Sequence, residues 1–274
     1  MRCGKALPGG LFDCPAERSD PILCGFHFGG VTADDVERLT ERLDQIRGRL
    51  ARAAERAGRP PESVRLLAVT KGFPAAVVRE ALALGLREFG ENRVQEADAK
   101  ISELGAVDPA PRWHLIGHLQ RNKAKRAVTL FDEIHSLDSE DLVAEVARRA
   151  AAEGRTIAGY VEVNTSGDPG KHGVAPEGAL ALLGRAGREP AIRLAGLMTI
   201  GPLHGGPEGA RASFRSLARL RVQAVEAGLL EADAGLSMGM SDDFEIAIEE
   251  GATIVRVGSA LFGTRGAARE EAAG

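Results

Sequence analysis

Eight short apolar runs recur along the chain, and a segment of helical period separates each from the next. The runs are 65–70 (RLLAVT), 87–90 (REFG), 112–117 (RWHLIG), 133–137 (EIHSL), 157–165 (IAGYVEVNT), 193–200 (RLAGLMTI), 235–239 (GLSMG) and 253–258 (TIVRVG). The helical patterns lie at 74–84, 92–104, 139–152, 176–187, 208–227 and 242–250, with a longer one at about 33–57 before the first run. Strands of about five residues alternating with amphipathic helices indicate parallel βαβ units. Eight is the number that closes a barrel. An open doubly wound sheet is the competing arrangement, but no Gly-x-Gly-x-x-Gly opens any of these helices. The expected fold class is α/β, a single (β/α)8 barrel over 31–267.

The length of 274 residues suits one such unit. A hydrophobic content of 44% with only 4% aromatics suggests a core of Ala, Val, Leu and Ile, the usual filling of a barrel interior. The net charge of −4 sets up no field that would attract nucleic acid or anionic lipid. No apolar run approaches the ~20 residues of a membrane span. The three cysteines, Cys3, Cys14 and Cys24, are confined to the start of the chain, which fits a reduced, cytoplasmic protein. Residues 1–30 are rich in Gly, Pro and Cys and have neither regular period nor a secretory pattern. They are expected to be a disordered extension, not translated at all if Val31 is the true start. Thr32 and Asp35 have capping-box spacing ahead of the first helix, and 268–274 read as a flexible tail.

Barrel active sites form where strands end at the C-terminal face. The residues at those ends are Lys71, Glu91-Asn92, His118, Asn164-Thr165, Thr199, Ser241 and Gly258-Ser259. Lys71 follows its strand directly, and partial desolvation there favours the neutral, nucleophilic amine. A lysine that snorkels to solvent is the plainer reading of Lys71 alone. The loops after strands 7 and 8 often hold a phosphate. Here Ser241 is expected to cap the helix after strand 7. Gly258 would let the backbone approach an anion, with Ser259 adding a hydroxyl. The two loops are adjacent in a closed barrel and Lys71 on strand 1 sits beside strand 8, so a ligand carrying an aldehyde and a phosphate fits the set. Arg256, on the same face two residues before Gly258, would point into the mouth against a pyridine nitrogen. Because guanidinium only donates, it disfavours protonation of that nitrogen. A salt bridge to a rim carboxylate is the alternative.

Seven stretches then carry a resemblance: LLAVTKGFP (66–74), FGENRVQE (89–96), WHLIGHLQRNK (113–123), IHSLDS (134–139), VNTSGDPGKHGV (163–174), GLMTIGP (196–202) and SMGMSDDFEIAIEEGATIVRVGSALFG (237–263). In order, they resemble the pyridoxal phosphate homeostasis protein family, the proline-synthase co-transcribed homologues. The resemblance implies a single barrel like the N-terminal domain of alanine racemase, the type III fold of pyridoxal 5′-phosphate (PLP) proteins. It also implies that Lys71 carries PLP as an imine, that Ser241, Gly258 and Ser259 hold the phosphate, and that Arg256 faces the pyridine nitrogen. Members of that family regulate cellular PLP supply and have no established turnover.

An amino-acid racemase or decarboxylase is the alternative, and it needs a second acid/base opposite the lysine. In two-domain enzymes of this fold a partner's β-domain supplies it, and such a domain is not expected after strand 8 here. Tyr160, the only tyrosine, lies early in strand 5, away from the mouth, while His118 and His172 lie near it. A PLP carrier or buffer is therefore expected. It would be monomeric, because no neighbour has to supply a catalytic group, with PLP-dependent apo-enzymes as candidate recipients.

The other signals have plain readings beside their functional ones. Asn92 is expected to cap the helix after strand 2 and to border the cofactor. Asn164 is expected to face the pocket. His114 is either a layer residue or a pocket wall, and no second ligand stands at metal-site spacing from it. Lys171 and His172 read as a solvated loop. Arg121, Lys123, Lys125 and Arg126 read as a solvated helix face, with an RNA-binding patch as the rival.

Overall fold

A computed structural model describes residues 33–263. The expected 1–30 extension with its cysteines, the cap at Thr32 and the 268–274 tail lie outside them. The strands are β1 (Arg65–Val69), β2 (Glu88–Glu91), β3 (Arg112–Leu115), β4 (Glu133–Leu137), β5 (Ile157–Glu162), β6 (Ile192–Met198), β7 (Gly235–Ser237) and β8 (Ile254–Val257). All eight pair in parallel in chain order, and β8 closes on β1 with Arg65–Ala68 opposite Ile254–Val257. The expected closed barrel is the fold observed. Among the described residues no helix is long and apolar enough to cross a membrane.

Among the described residues eight helices cover the outside: α1 (Ala33–Arg56), α2 (Ala75–Ala83), α3 (Val94–Leu104), α4 (Ala124–Leu130), α5 (Glu140–Ala152), α6 (Ala179–Ala186), α7 (Gly206–Glu226) and α8 (Phe244–Glu249). A last turn, α9 (Ser259–Phe262), follows β8. Each lays an apolar stripe on the strands, as in α5, where Leu142, Val143, Val146, Ala147 and Ala150 are buried. Helix α1 precedes the first strand and packs along α8. It buries Leu39, Leu43, Ile46 and Leu50, each worth roughly 1.5–3 kcal/mol, and Arg49 forks onto Glu245 at 2.7 and 2.9 Å.

The strands are a little shorter than their apolar runs. β5 ends at Glu162 and not Thr165, because Asn164 N–H donates to Val174 O and Val174 N–H to Glu162 O, which folds the following loop back on the strand. Gly196 in β6 has φ +151°, and a Cβ there would sit 1.9 Å from Gly235 O. Only glycine lets β6 and β7 lie this close.

Alternation along the strands separates two environments. Ala68, Val255 and Val257 face the helices, while Leu67, Val69, Ile116, Tyr160, Met198 and Ile254 form a small apolar cluster inside. The expected core of Ala, Val, Leu and Ile is observed, but its distribution differs from a filled barrel interior. Most of that apolar mass lies between strands and helices, and the lower interior is charged. Arg65, Glu88, Arg112 and Glu133 open four successive strands. Glu133 Oε1 takes Arg112 Nη2 at 2.8 Å and Arg65 Nη1 at 3.3 Å. Tyr160 stands in this floor, its hydroxyl accepting from Arg65 Nη2 at 3.1 Å, away from the mouth as expected.

Candidate cofactor site at the barrel mouth

Lys71 emerges half-buried from the end of β1, and the turn that carries it is pinned from below. Lys100, buried on α3, donates to Thr70 O at 2.6 Å and bonds the buried Glu91 at the end of β2, which also accepts from Thr70 Oγ1 at 2.6 Å. Glu96 accepts from Gly72 N–H. Two acids and a lysine from β2 and α3 thus fix the backbone on both sides of Lys71. Burial pushes the Glu91 carboxyl up despite Lys100 beside it. Nothing in the linear pattern pairs Lys100 with Glu91; their shared helix–strand corner does.

The turn after β8 abuts Lys71's strand. A Cβ on Gly258 would meet Val69 O at 3.2 Å and Val69 Cβ at 3.3 Å. Gly258 has φ −119°, so it is glycine for this close approach to β1 and not for a special backbone angle. Phe73, just past Lys71, packs on Phe262 of α9 with centroids 5.5 Å apart. Ser241 lies in the turn before α8 and accepts Ala260 N–H at 3.3 Å, which brings the β7 and β8 turns together. The expectation that Ser241 caps α8 is corrected. Asp243 holds the N-cap position, without a side-chain cap bond, and its carboxylate instead accepts Met240 N–H at 2.6 Å. Ser259 is exposed at the start of α9.

Arg256 lies inside the barrel opposite Leu67 and is only 4% exposed. It reaches across to Ser237 O (2.6 Å), Ser237 Oγ (2.8 Å) and Thr199 O (2.7 Å), so its plane is set by β6 and β7. No rim carboxylate holds it through a salt bridge among the described residues. Burial lowers its pKa to about 10, with Glu162 and Asp243 acting against the shift, so it stays charged at neutral pH. Those two acids are strained in turn. Burial, with Asp138 adding to it, raises Glu162 to about 7, and burial raises Asp243.

Asn92, Asn164 and the loop after β5 make contacts that their sequence reading did not include. Asn92 does not cap α3: Arg93 holds that position, and the Asn92 backbone instead packs on Gly117, where a Cβ would sit 2.4 Å from Asn92 O. The Asn164 amide is spent within its own loop, donating to Asp168 O at 2.8 Å and accepting from Ser166 Oγ at 2.9 Å. The loop after β5 is also no freely solvated segment. Lys171 Nζ donates to Gly201 O, latching the loop to the end of β6. His172 stacks on His118 at 3.8 Å, and His118 pairs with Asp138 at 3.2 Å. In the basic cluster, Arg121 and Arg126 are paired with Asp141 and Asp98 on the surface.

The alanine racemase N-terminal domain model matches residues 42–266. The pyridoxal phosphate homeostasis protein of Aquifex aeolicus is 43% identical over 225 residues, covering 82% of this chain and 97% of that protein. This chain belongs to the pyridoxal phosphate homeostasis protein family. PipY of Synechococcus elongatus, solved with PLP bound, is a family relative in structure: TM-score 0.72, 41% identity, 82% of this chain and all of that one. An alanine racemase of Clostridium difficile shares the fold at TM-score 0.66 and 15% identity, and this chain spans 57% of it. In this homeostasis-family barrel Lys71 follows β1, the Gly258 turn packs on the end of β1, Ser241 bonds the β8 turn, and Arg256 lies inside β8.

Proposed function

We propose that this protein binds PLP covalently through Lys71 Nζ and serves intracellular PLP homeostasis as a carrier or buffer. The observation that carries the reading is the junction of β1 and β8, where the turn bearing Lys71 abuts the Gly258 turn. The donor set suits the cofactor: an amine for its aldehyde, the Ser241 and Ser259 hydroxyls with the Gly258 turn for its phosphate, and Arg256 for its ring nitrogen. When bound, the cofactor supplies an electron-withdrawing ring and an aldehyde that condenses with amines. Arg256 can only donate, so it leaves the ring nitrogen facing it unprotonated and the ring a weak electron sink. This suits holding the cofactor more than turning over amino acids. Cytoplasmic location, a monomeric state and delivery to PLP-dependent apo-enzymes belong to the same proposal.

The test is the near-ultraviolet and visible spectrum before and after borohydride reduction, with Lys71→Ala alongside. A visible band fixed by reduction, with the added mass on the Lys71 peptide, is expected. A wild-type chain that stays colourless and unlabelled when incubated with PLP overturns the reading. Turnover of D- or L-amino acids by the loaded protein would favour the racemase alternative, for which the stacked His118 and His172 are candidate acid/base groups.

A further inference from the structure

Beneath the mouth, three buried side chains from β3 and β4 converge on one point. His114 Nδ1 lies 3.0 Å from His135 Nε2, and each lies 3.5 Å from Glu133 Oε2. Both rings are fully buried and the carboxylate is 2% exposed. Glu133 Oε2 has no hydrogen-bond partner, although Oε1 of the same group takes two arginines. A buried carboxylate oxygen without a donor is costly, and this one is aimed between two imidazole nitrogens.

The far nitrogens of both rings are already engaged. His114 Nε2 meets Glu88 Oε2 at 2.5 Å, and His135 Nδ1 meets Ser237 Oγ at 2.9 Å. A carboxylate only accepts, so His114 carries its proton on Nε2 and turns a lone pair on Nδ1 inward. Ser237 Oγ, fixed by Arg256, can accept from His135 Nδ1–H, which turns the Nε2 lone pair inward as well. Imidazoles that ligate metals are held in this manner, each with its outer N–H on a carboxylate or other acceptor.

We propose that His114 Nδ1, His135 Nε2 and Glu133 Oε2 form a binding site for a divalent ion of the zinc type, inside the barrel and below the cofactor mouth. Bonds of 2.0–2.1 Å in a tetrahedron put ligand atoms about 3.3 Å apart, which matches a triangle of 3.0, 3.5 and 3.5 Å. Arg65 and Arg112 neutralise Glu133 and Glu88, so a hard cation such as Mg2+ or Ca2+ gains little there. An ion that prefers imidazole gains from the two nitrogens. The entry path is the floor, where Arg65, Glu88 and Arg112 are partly exposed. The second His/Asp group, His118, Asp138 and His172, does not qualify. Its rings stack 3.8 Å apart at 8°, so their in-plane lone pairs run parallel and never meet.

This proposal stands apart from the reading of the mouth, and its test is arranged accordingly. The full-length chain carrying Lys71→Ala, which removes the reactive amine, is titrated with Co2+ and read by visible d–d absorption and metal content after desalting. One equivalent per chain with intense tetrahedral bands is expected, displaced by Zn2+ and indifferent to excess Mg2+. Glu133→Gln, close to the native shape, should abolish stoichiometric binding. Glu88→Gln should weaken it by about 10–100-fold through His114, and Arg112→Ala should tighten it by removing a competing cation. His118→Ala should leave it unchanged. Absence of a tetrahedral band in the parent chain at saturating Co2+ overturns the proposal whatever the variants do. So does an undiminished equivalent in folded Glu133→Gln.

Discussion

Glu133 and Glu162 are the same residue on neighbouring strands of one barrel, both buried, yet their electrostatics are opposite. At the floor, burial works against the Glu133 carboxylate, but its neighbours, Arg65 among them, outweigh it and hold the group far below the carboxylate range. At the mouth, burial and Asp138 act on Glu162 with only Arg256 in opposition, and the group rises to about 7. The floor's acids are met by its own arginines, with one Glu133 oxygen left over. The mouth is left under-compensated around a buried cation, the condition of a place that receives a ligand with its own charges.

The contrast breaks first at Lys71. Lys71→Ala should eliminate the covalent label and the visible band while leaving the melting temperature of the cofactor-free protein near wild type, because the side chain is half-buried and the turn is held by its neighbours. Loss of the fold in this variant, seen by circular dichroism, would mean that Lys71 is needed to hold the barrel together.

Lys100 is the next lever. Lys100→Ala leaves Glu91 buried without its cation, a change that costs about 3–5 kcal/mol, measured as a shifted urea midpoint. The double change Lys100→Met with Glu91→Leu should recover most of that stability, since apolar pairs often replace buried ion pairs at little cost. PLP retention should stay impaired in the double variant, because the carbonyl of Thr70 beside Lys71 loses its donor. Recovery of both properties together would show that the ion pair does not position Lys71.

Glu162 sharpens the electrostatic half. Its folded pKa is raised, so its contribution to stability is present below the unfolded carboxylate range and is lost as pH rises through about 7. The loss is on the order of 2–3 kcal/mol. Glu162→Gln should therefore be more stable than wild type at pH 8 and similar at pH 4.5, read by chemical denaturation of cofactor-free protein. Equal stability at both pH values would place Glu162 in the same compensated class as Glu133.

The two regions also differ in how far they can be read from the chain alone. That Lys71 and Gly258 would follow β1 and β8, with Arg256 inside β8, was legible because barrel topology orders the strands, and β4 runs over 133–137 as its apolar run indicated. Ser241 and Asn92 were misplaced as helix caps because both helices begin two or three residues later than the polar residue suggests. The loop's return to Val174, which engages the backbone of Asn164, leaves no trace in the apolar pattern. The floor cluster went unread for a different reason. Its members lie on separate strands, so no helical or hairpin spacing joins His114 to His135. A signal was nevertheless present, since Arg65, Glu88, Arg112 and Glu133 alternate in sign as the first residues of four successive strands.

The smallest expected effect tests the junction between the regions. Gly258 has an ordinary negative φ, so alanine meets no backbone penalty there, only the approach of Val69 at 3.2–3.3 Å. Relief takes a few tenths of an ångström, so Gly258→Ala should cost about 1 kcal/mol, at the low end for an overpacked site. That small shift moves the β8 turn away from the end of β1, and PLP retention measured by dialysis should fall more than stability does. A variant that loses stability but keeps its cofactor would assign Gly258 to packing alone. One that loses cofactor without any change in the melting curve would restore direct approach of the backbone to the phosphate as the reason for the glycine.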